Sequence, residues 1–245
     1  MNRLLALLYG VACYAIFFVS FLYFFGFAGD LFVPKSVSAG GAAGQGAGAI
    51  LIDLMLIALF GIQHSVMARP SFKKGWTRWV PQPVERSTYV LIASAILILT
   101  YWAWKPMPAE VWNVKGTFIG SLLWGLFFLG ALVVLASSFM INHFDLFGLR
   151  QTFLYFQGKP YSPLPFKVKG FYRWVRNPLM LGFLLSLWSA PVMTVSRLVF
   201  AAGMTLYIFI GIYFEERNIA EHLGEPYLRY RSRTSMILPI PKPKR

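Results

Sequence analysis

Six stretches of the chain are almost purely apolar, at residues 4–28, 48–67, 87–104, 117–140, 179–191 and 195–214. A helix needs about 20 consecutive apolar residues to cross a bilayer, where no water is present to satisfy its backbone. Five runs approach or pass that length, and the fifth in order, 179–191, is short and ends at Pro191. The sequence therefore predicts an all-α, polytopic integral membrane helix bundle of five to six transmembrane helices, closing in a C-terminal helical hairpin. At 57% hydrophobic and 13% charged residues, a water-soluble globule is excluded. The first run follows Met1-Asn2-Arg3, and its roughly 25 apolar residues exceed a signal-peptide core, so it is read as a retained span.

Lysine and arginine set the expected orientation, because short cytoplasmic loops collect them. They gather in Arg69–Arg86, in Arg150–Arg176 and from Arg217 to Arg245, with Arg3 at the start. The opposite side holds Lys35, Lys105, Lys115 and Arg197. Both termini are expected in the cytoplasm, with a bacterial inner membrane as the location. The net charge of +14 reads as this orientation signal plus an affinity for anionic membrane lipid. Without a soluble basic domain, no nucleic-acid partner is expected, and no protein partner is evident. Cys13 is alone and three histidines are widely separated, so neither a disulfide framework nor a metal site is read.

No segment outside the apolar runs is long enough for a second domain. Residues 1–245 are read as one domain, with a four-helix part at 1–140 and a loop, helical hairpin and tail at 141–245. The glycine-rich Ala39–Gly48 reads as a flexible external linker or, with Gly40, Gly44 and Gly48 at four-residue spacing, as a close-packing start to the second helix, and the Pro239–Arg245 tail as a basic interfacial arm.

Chemistry concentrates where a basic segment enters the fifth run, at Gly170-Phe-Tyr-Arg-Trp-Val-Arg-Asn-Pro-Leu-Met-Leu-Gly182. Asn177 suits an N-cap and Pro178 a first helical turn. A helix start flanked by Arg173 and Arg176 is an anion site, and equally a capped helix whose arginines reach lipid headgroups. The sixth run leads into Glu215 and Glu216. Carboxylates at a membrane boundary demand cationic partners. A structural pair with Arg173 or Arg176 accounts for one of them, whereas neighbours on a helix point about 100° apart. An anion site, two carboxylates and the aromatics Tyr172, Trp174, Tyr213, Tyr227 and Tyr230 suit a ligand with a carboxylate, an ammonium, ribose hydroxyls, an adenine and a sulfonium. S-adenosylmethionine carries all five.

The pattern Gly170-x-Tyr172-x-x-x-Arg176-Asn177-Pro178-x-x-x-Gly182, then Glu215-Glu216-Arg217, then Leu223-Gly224-x-x-Tyr227-x-x-Tyr230 resembles the isoprenylcysteine carboxyl methyltransferase and phospholipid methyltransferase superfamily. The resemblance implies S-adenosylmethionine binding by Tyr172, Arg176, Asn177, Pro178, Leu181, Gly182, Glu215 and Glu216. Asn177 stands where that pattern usually has histidine, so no titratable imidazole is supplied there. His64-Ser-Val-Met-Ala-Arg-Pro70, Pro83-Val-Glu-Arg-Ser-Thr-Tyr89, Asn142-His-Phe-Asp-Leu-Phe-Gly148 and Gly158-Lys-Pro-Tyr161 are similar to membrane methanethiol S-methyltransferases. The implied reaction joins methanethiol, or another small thiol, to the methyl group of S-adenosylmethionine. Related accessory proteins of nitric-oxide reduction share the His64 to Tyr89 style of sequence.

Such a reaction needs the acceptor thiol deprotonated. His64 is one candidate base; it shares a helix face with Asp53, eleven residues and roughly 16 Å away. His143 is a second, with Asp145 two residues on as a possible orienting carboxylate. Asp53 is read either as holding a buried partner or as catalytic, and His222 as part of a solvated helix. Three readings stay open: a small-thiol methyltransferase, a methyltransferase for a lipid or prenylcysteine acceptor, and a non-catalytic accessory protein.

Overall fold

The computed structural model describes residues 1–240; residues 241–245, the end of the expected interfacial arm, lie outside the described residues. Its helices are α1 (Arg3–Gly29), α2 (Gly46–Met67), α3 (Pro70–Trp76), α4 (Gln82–Ala103), α5 (Phe118–Ile141), α6 (His143–Leu146), α7 (Leu149–Phe156), α8 (Pro178–Trp188), α9 (Val195–Leu223) and α10 (Glu225–Arg233). Two short strands, β1 (Glu110–Asn113) and β2 (Val192–Thr194), complete the order. Among the described residues α1, α2, α4, α5 and α9 are long and apolar enough to cross a membrane, which makes this an integral membrane protein. The short fifth run becomes α8, whose eleven residues extend only about 16 Å against a hydrocarbon thickness of about 30 Å. Five helices are therefore of spanning length.

The chain divides into two compact units that interleave in sequence: residues 1–107 with 142–165, and residues 108–141 with 166 onward. In the first unit α1 packs on α4 and α7, and α2 packs on α4. The segment after α5 does not run free as a loop. It lies antiparallel to the first half of α1: Tyr155 donates to the Met1 carbonyl (2.9 Å), Thr152 fills the space a Cβ on Gly10 would need, and Phe147 stacks on Phe17 (3.8 Å). Its apolar residues are interrupted by Asp145, Arg150 and Gln151, which hid the segment from a search for long apolar runs.

The residues just before the expected linker are built into this unit, whereas most of Ala39–Gly48 is exposed and its last three residues open α2. Val37 is fully buried, its N–H bonds the Phe27 carbonyl (3.0 Å), and its own carbonyl accepts from the Trp104 indole (3.1 Å). Gly40 has φ +83°, and a Cβ there would strike the Pro34 carbonyl, so the glycine answers a conformational demand. The Gly44 N–H bonds the Pro106 carbonyl (2.8 Å). Below this cap Asp53 is fully buried and accepts the Lys105 backbone N–H (2.9 Å), which favours the buried-partner reading of that residue.

In the second unit α5 and α8 make the closest helix pair. A Cβ on Gly130 would lie 2.6 Å from the Gly182 carbonyl, and one on Gly182 would lie 2.6 Å from the Gly130 carbonyl. The Ser186 hydroxyl donates to the Phe127 carbonyl across the same seam (2.9 Å). Lipid is as apolar as a leucine face, so membrane helices associate through such close backbone approach and interhelical hydrogen bonds. The α8–α9 link forms β2, which pairs antiparallel with β1 through Glu110↔Thr194 and Asn113↔Val192. This ribbon is a small addition to an otherwise helical fold.

Gly130→Ala is expected to cost about 1–3 kcal/mol, the range for overpacking a tight interior, because the Gly182 carbonyl and Ser186 backbone nitrogen, as well as the Ser186 hydroxyl, oppose the new Cβ. Thermal unfolding of the detergent-solubilised variant beside Gly125→Ala, which meets nothing within 4 Å, measures this.

Candidate functional site

In the second unit the sequence candidates converge around one carboxylate. A single turn of 3-10 helix at Gly170–Arg173 brings the chain to the start of α8. The Arg176 N–H then bonds the Ser235 carbonyl (2.8 Å) and the Asn177 N–H the Met236 carbonyl (3.1 Å), so the C-terminal segment runs alongside. Glu216 projects from α9 into this junction and is 6% exposed. Arg176 grips it through both edges of the fork, Nε to Oε1 at 2.7 Å and Nη2 to Oε2 at 3.0 Å. The Asn177 amide adds a bond to Oε1 (3.1 Å), and Arg231 lies 3.5 Å from Oε2. The third nitrogen of Arg176 donates to the carbonyls of Thr234 and Arg231. A carboxylate so buried is tolerable only with this density of charged donors.

One detail differs from the sequence reading. Asn177 occupies the N-cap position, but its side chain makes no capping bond; it is spent on Glu216 and the Met236 carbonyl (3.2 Å). Gly182 is buried against α5, and Pro178 is fully buried in the first turn of α8.

The two adjacent glutamates face different surroundings, as the 100° step requires. Glu215 is exposed, and its charge acts on the Tyr172 phenol. Burial first, then Glu215, raises that phenol above the usual tyrosine range. Burial likewise pushes Tyr227 and Tyr230 up to about 12. These phenols are therefore proton donors at neutral pH; Tyr230 donates to the Tyr172 carbonyl (2.6 Å).

Beside Glu216 lies a cleft of about 760 Å³. One wall is a single face of α9, with Phe209, Ile212, Tyr213, Glu216, Arg217 and Ala220 at helical spacing, and Arg176, Arg231 and Met236 oppose it. Arg217 and Arg231 were missed as site residues. Counting one position onward from Glu216 would have found Arg217, whereas Arg231 reaches the cleft only because α10 folds back. The cleft offers guanidinium groups for a carboxylate, although Glu221 also lines it and pairs with Arg217 (3.0 Å), a carboxylate for an ammonium or hydroxyls, and the Tyr213 ring for a base. This donor set fits S-adenosylmethionine, and the volume is that of an ordinary small-molecule site.

The three candidates for proton transfer all belong to the first unit. His64 sits near the end of α2 between the rings of Phe60 and Tyr89 (5.4 and 5.1 Å), and the Tyr89 hydroxyl donates to its carbonyl (3.2 Å). His143 is buried, with Nε2 2.8 Å from the Tyr14 hydroxyl. Burial lowers its pKa from the usual histidine value. The expected pairing of His143 with Asp145 does not form. The Asp145 carboxylate is taken by Arg150 (2.8 Å), with Gln151 and the Tyr161 hydroxyl each at 3.5 Å, because the helical turn of α6 points it toward α7. The Asp145 N–H is capped by the Asn142 side chain (3.1 Å).

Comparison with known proteins supplies independent information. The NnrU protein family profile matches residues 52–239. A methanethiol S-methyltransferase of Mycobacterium tuberculosis is 50% identical over 241 residues, covering 98% of each chain. Methanethiol S-methyltransferase 2 of Bradyrhizobium diazoefficiens is 48% identical, covering 97% of this chain and 91% of its own. A methanethiol S-methyltransferase of Crocosphaera subtropica is 46% identical, covering 98% and 94%. No solved structure matches.

Removing one partner of the buried pair, by Arg176→Met or Glu216→Leu, is expected to cost about 3–5 kcal/mol, because the other charge stays buried and unpaired. The double variant should lose much less than the sum. Chemical-denaturant unfolding in a double-mutant cycle reads the coupling.

Proposed function

The chain belongs to the methanethiol S-methyltransferases and matches the NnrU protein family, and on that premise we propose that it S-methylates methanethiol with S-adenosylmethionine as donor, giving dimethyl sulfide and S-adenosylhomocysteine. The observation that carries the donor assignment is the Glu216 cluster: a buried carboxylate held by Arg176 and Asn177 at the edge of a cleft whose rim also bears Arg217 and Arg231. S-adenosylmethionine, when bound, supplies a methyl group on a sulfonium, whose charge a thiolate cancels as the sulfur–carbon bond passes from one sulfur to the other.

The chain's residues divide the remaining work. Arg217 and Arg231 hold a carboxylate; Glu216 and Glu215 hold ammonium and hydroxyl groups; Tyr172 and Tyr213 offer rings for stacking. Arg176 and Asn177 fix the rotamer of Glu216, while Pro178, Leu181 and Gly182 set the first turns of α8 beneath them. Apolar helices exclude water, which favours a step in which opposite charges neutralise one another. The acceptor thiol loses its proton to His143, whose buried imidazole is neutral at physiological pH and so able to accept it. His64 is the second candidate for that proton, and Asp145, held by Arg150, acts on the step only by fixing the α6–α7 segment that carries His143. The cleft and both termini are assigned to the cytoplasmic side of a bacterial inner membrane, from the distribution of lysine and arginine.

Purified protein given methanethiol and S-adenosylmethionine should release dimethyl sulfide into the headspace in one-to-one ratio with S-adenosylhomocysteine. Donor binding without dimethyl sulfide favours a lipid or prenylcysteine acceptor, and neither binding nor product favours an accessory protein. Glu216→Gln should weaken donor binding by about 1.5–3 kcal/mol, the worth of a hydrogen bond to a charged group, or roughly ten- to a hundredfold in Kd by calorimetry. His143→Ala, His64→Ala and Asp145→Ala should lose turnover with near-normal donor affinity; full activity in any of them removes that residue from the proton-transfer step.

A further inference from the structure

The α6–α7 segment carries His143 to the level of Tyr14, eleven residues and roughly 16 Å along α1 from Arg3. The imidazole there is 4% exposed. The rings of Tyr14, Phe144 and Phe147 surround it at centroid distances of 5.7, 5.5 and 4.9 Å. Such walls offer no solvation to an imidazolium, and burial alone accounts for the lowered pKa of His143.

The charged side chains on the neighbouring elements are committed elsewhere. Asp145 and Arg150 pair with each other, and Arg86 of α4 donates from Nε to the Leu146 carbonyl (2.8 Å). The Tyr14 hydroxyl, by contrast, is brought to the ring from a different helix, with a sequence separation of 129 residues.

We propose that Tyr14 is the positioning residue of His143, fixing how the imidazole faces and accepting a hydrogen bond from Nε2–H when the ring takes the proton of the acceptor thiol. This rests on the reading of His143 as the base. In that step the S–H bond breaks with its electron pair left on sulfur, the proton passes to the imidazole, and Tyr14 keeps its own proton throughout. A hydrogen bond from an imidazolium is charge-assisted and stronger than one from the neutral ring. Removing the hydroxyl therefore disfavours the protonated base, and the acid limb of the pH profile, which follows the pKa of that base, moves to lower pH.

The test uses the full-length protein in detergent. Tyr14→Phe keeps the ring contacts and is expected to leave S-adenosylmethionine affinity unchanged. It should lower kcat/KM for methanethiol by roughly tenfold or more, as befits a weakened general base, and shift the acid limb downward. In protein labelled with 15N-histidine, the His143 signals, identified by their absence in His143→Gln, should titrate at correspondingly lower pH. An unmoved limb and an unmoved 15N titration in Tyr14→Phe overturn the proposal even if the rate falls, since packing loss alone does that. Full turnover in His143→Gln overturns the base reading itself, and the proposal with it. If Tyr14→Phe fails to insert, 3-fluorotyrosine at position 14 keeps the shape and weakens the oxygen as an acceptor; it must move limb and titration in the same direction, or the proposal fails.

Discussion

Apolar side chains gain nothing by exchanging lipid for one another, so the hydrophobic effect that drives a soluble core together is missing between membrane helices. What remains is close packing and polar contact, and the fold concentrates both at a few places. Gly130 and Gly182 let α5 and α8 approach backbone to backbone, and Gly10 admits Thr152 of α7 against α1. Serine and tyrosine hydroxyls then cross between helices, from Ser186 to Phe127 and from Tyr101 to the Ser20 carbonyl. Many of the large apolar residues, among them Leu5, Val19, Leu132 and Leu206, are exposed on the outside and serve as solvent matching.

The same medium makes every buried polar group consequential, because an unpaired charge costs several kcal/mol there. Glu216 is answered by two arginines and an amide, and in being answered it ties the C-terminal segment from Thr234 to Met236 against the start of α8. Asp53 is answered by a backbone N–H at the end of α4, and so fastens the loop cap of the first unit. The arginine that neutralises Glu216 also holds it at the edge of the cleft, and a ligand entering there meets a carboxylate whose rotamer is already fixed.

For methyl transfer to a thiolate these features work together. Charges that cancel along the reaction favour a dry setting, and an imidazole kept neutral by burial is a base without first needing to lose a proton.

The spans were legible because apolar length is a local property: α1, α2, α4 and α5 lie within about five residues of the apolar runs, α9 continues past its run to Leu223, and the shortness of α8 follows from Asn177-Pro178 and Pro191. The family was equally local, carried by short motifs. Other features depend on which segments meet. The Ala39–Gly48 stretch has a linker's composition, yet Gly44 finds a partner in the Pro106 carbonyl and residues 46–48 open α2. Asp145 is two residues from His143 in sequence but is turned to Arg150, while Tyr14, 129 positions away, supplies the hydroxyl. The sequence by itself determined the membrane class, a count of five to six apolar spans and the family. Only the tertiary structure decided who pairs with whom, because a buried charge or imidazole is satisfied by whatever folding brings within about 3 Å, and that proximity has no signature along the chain.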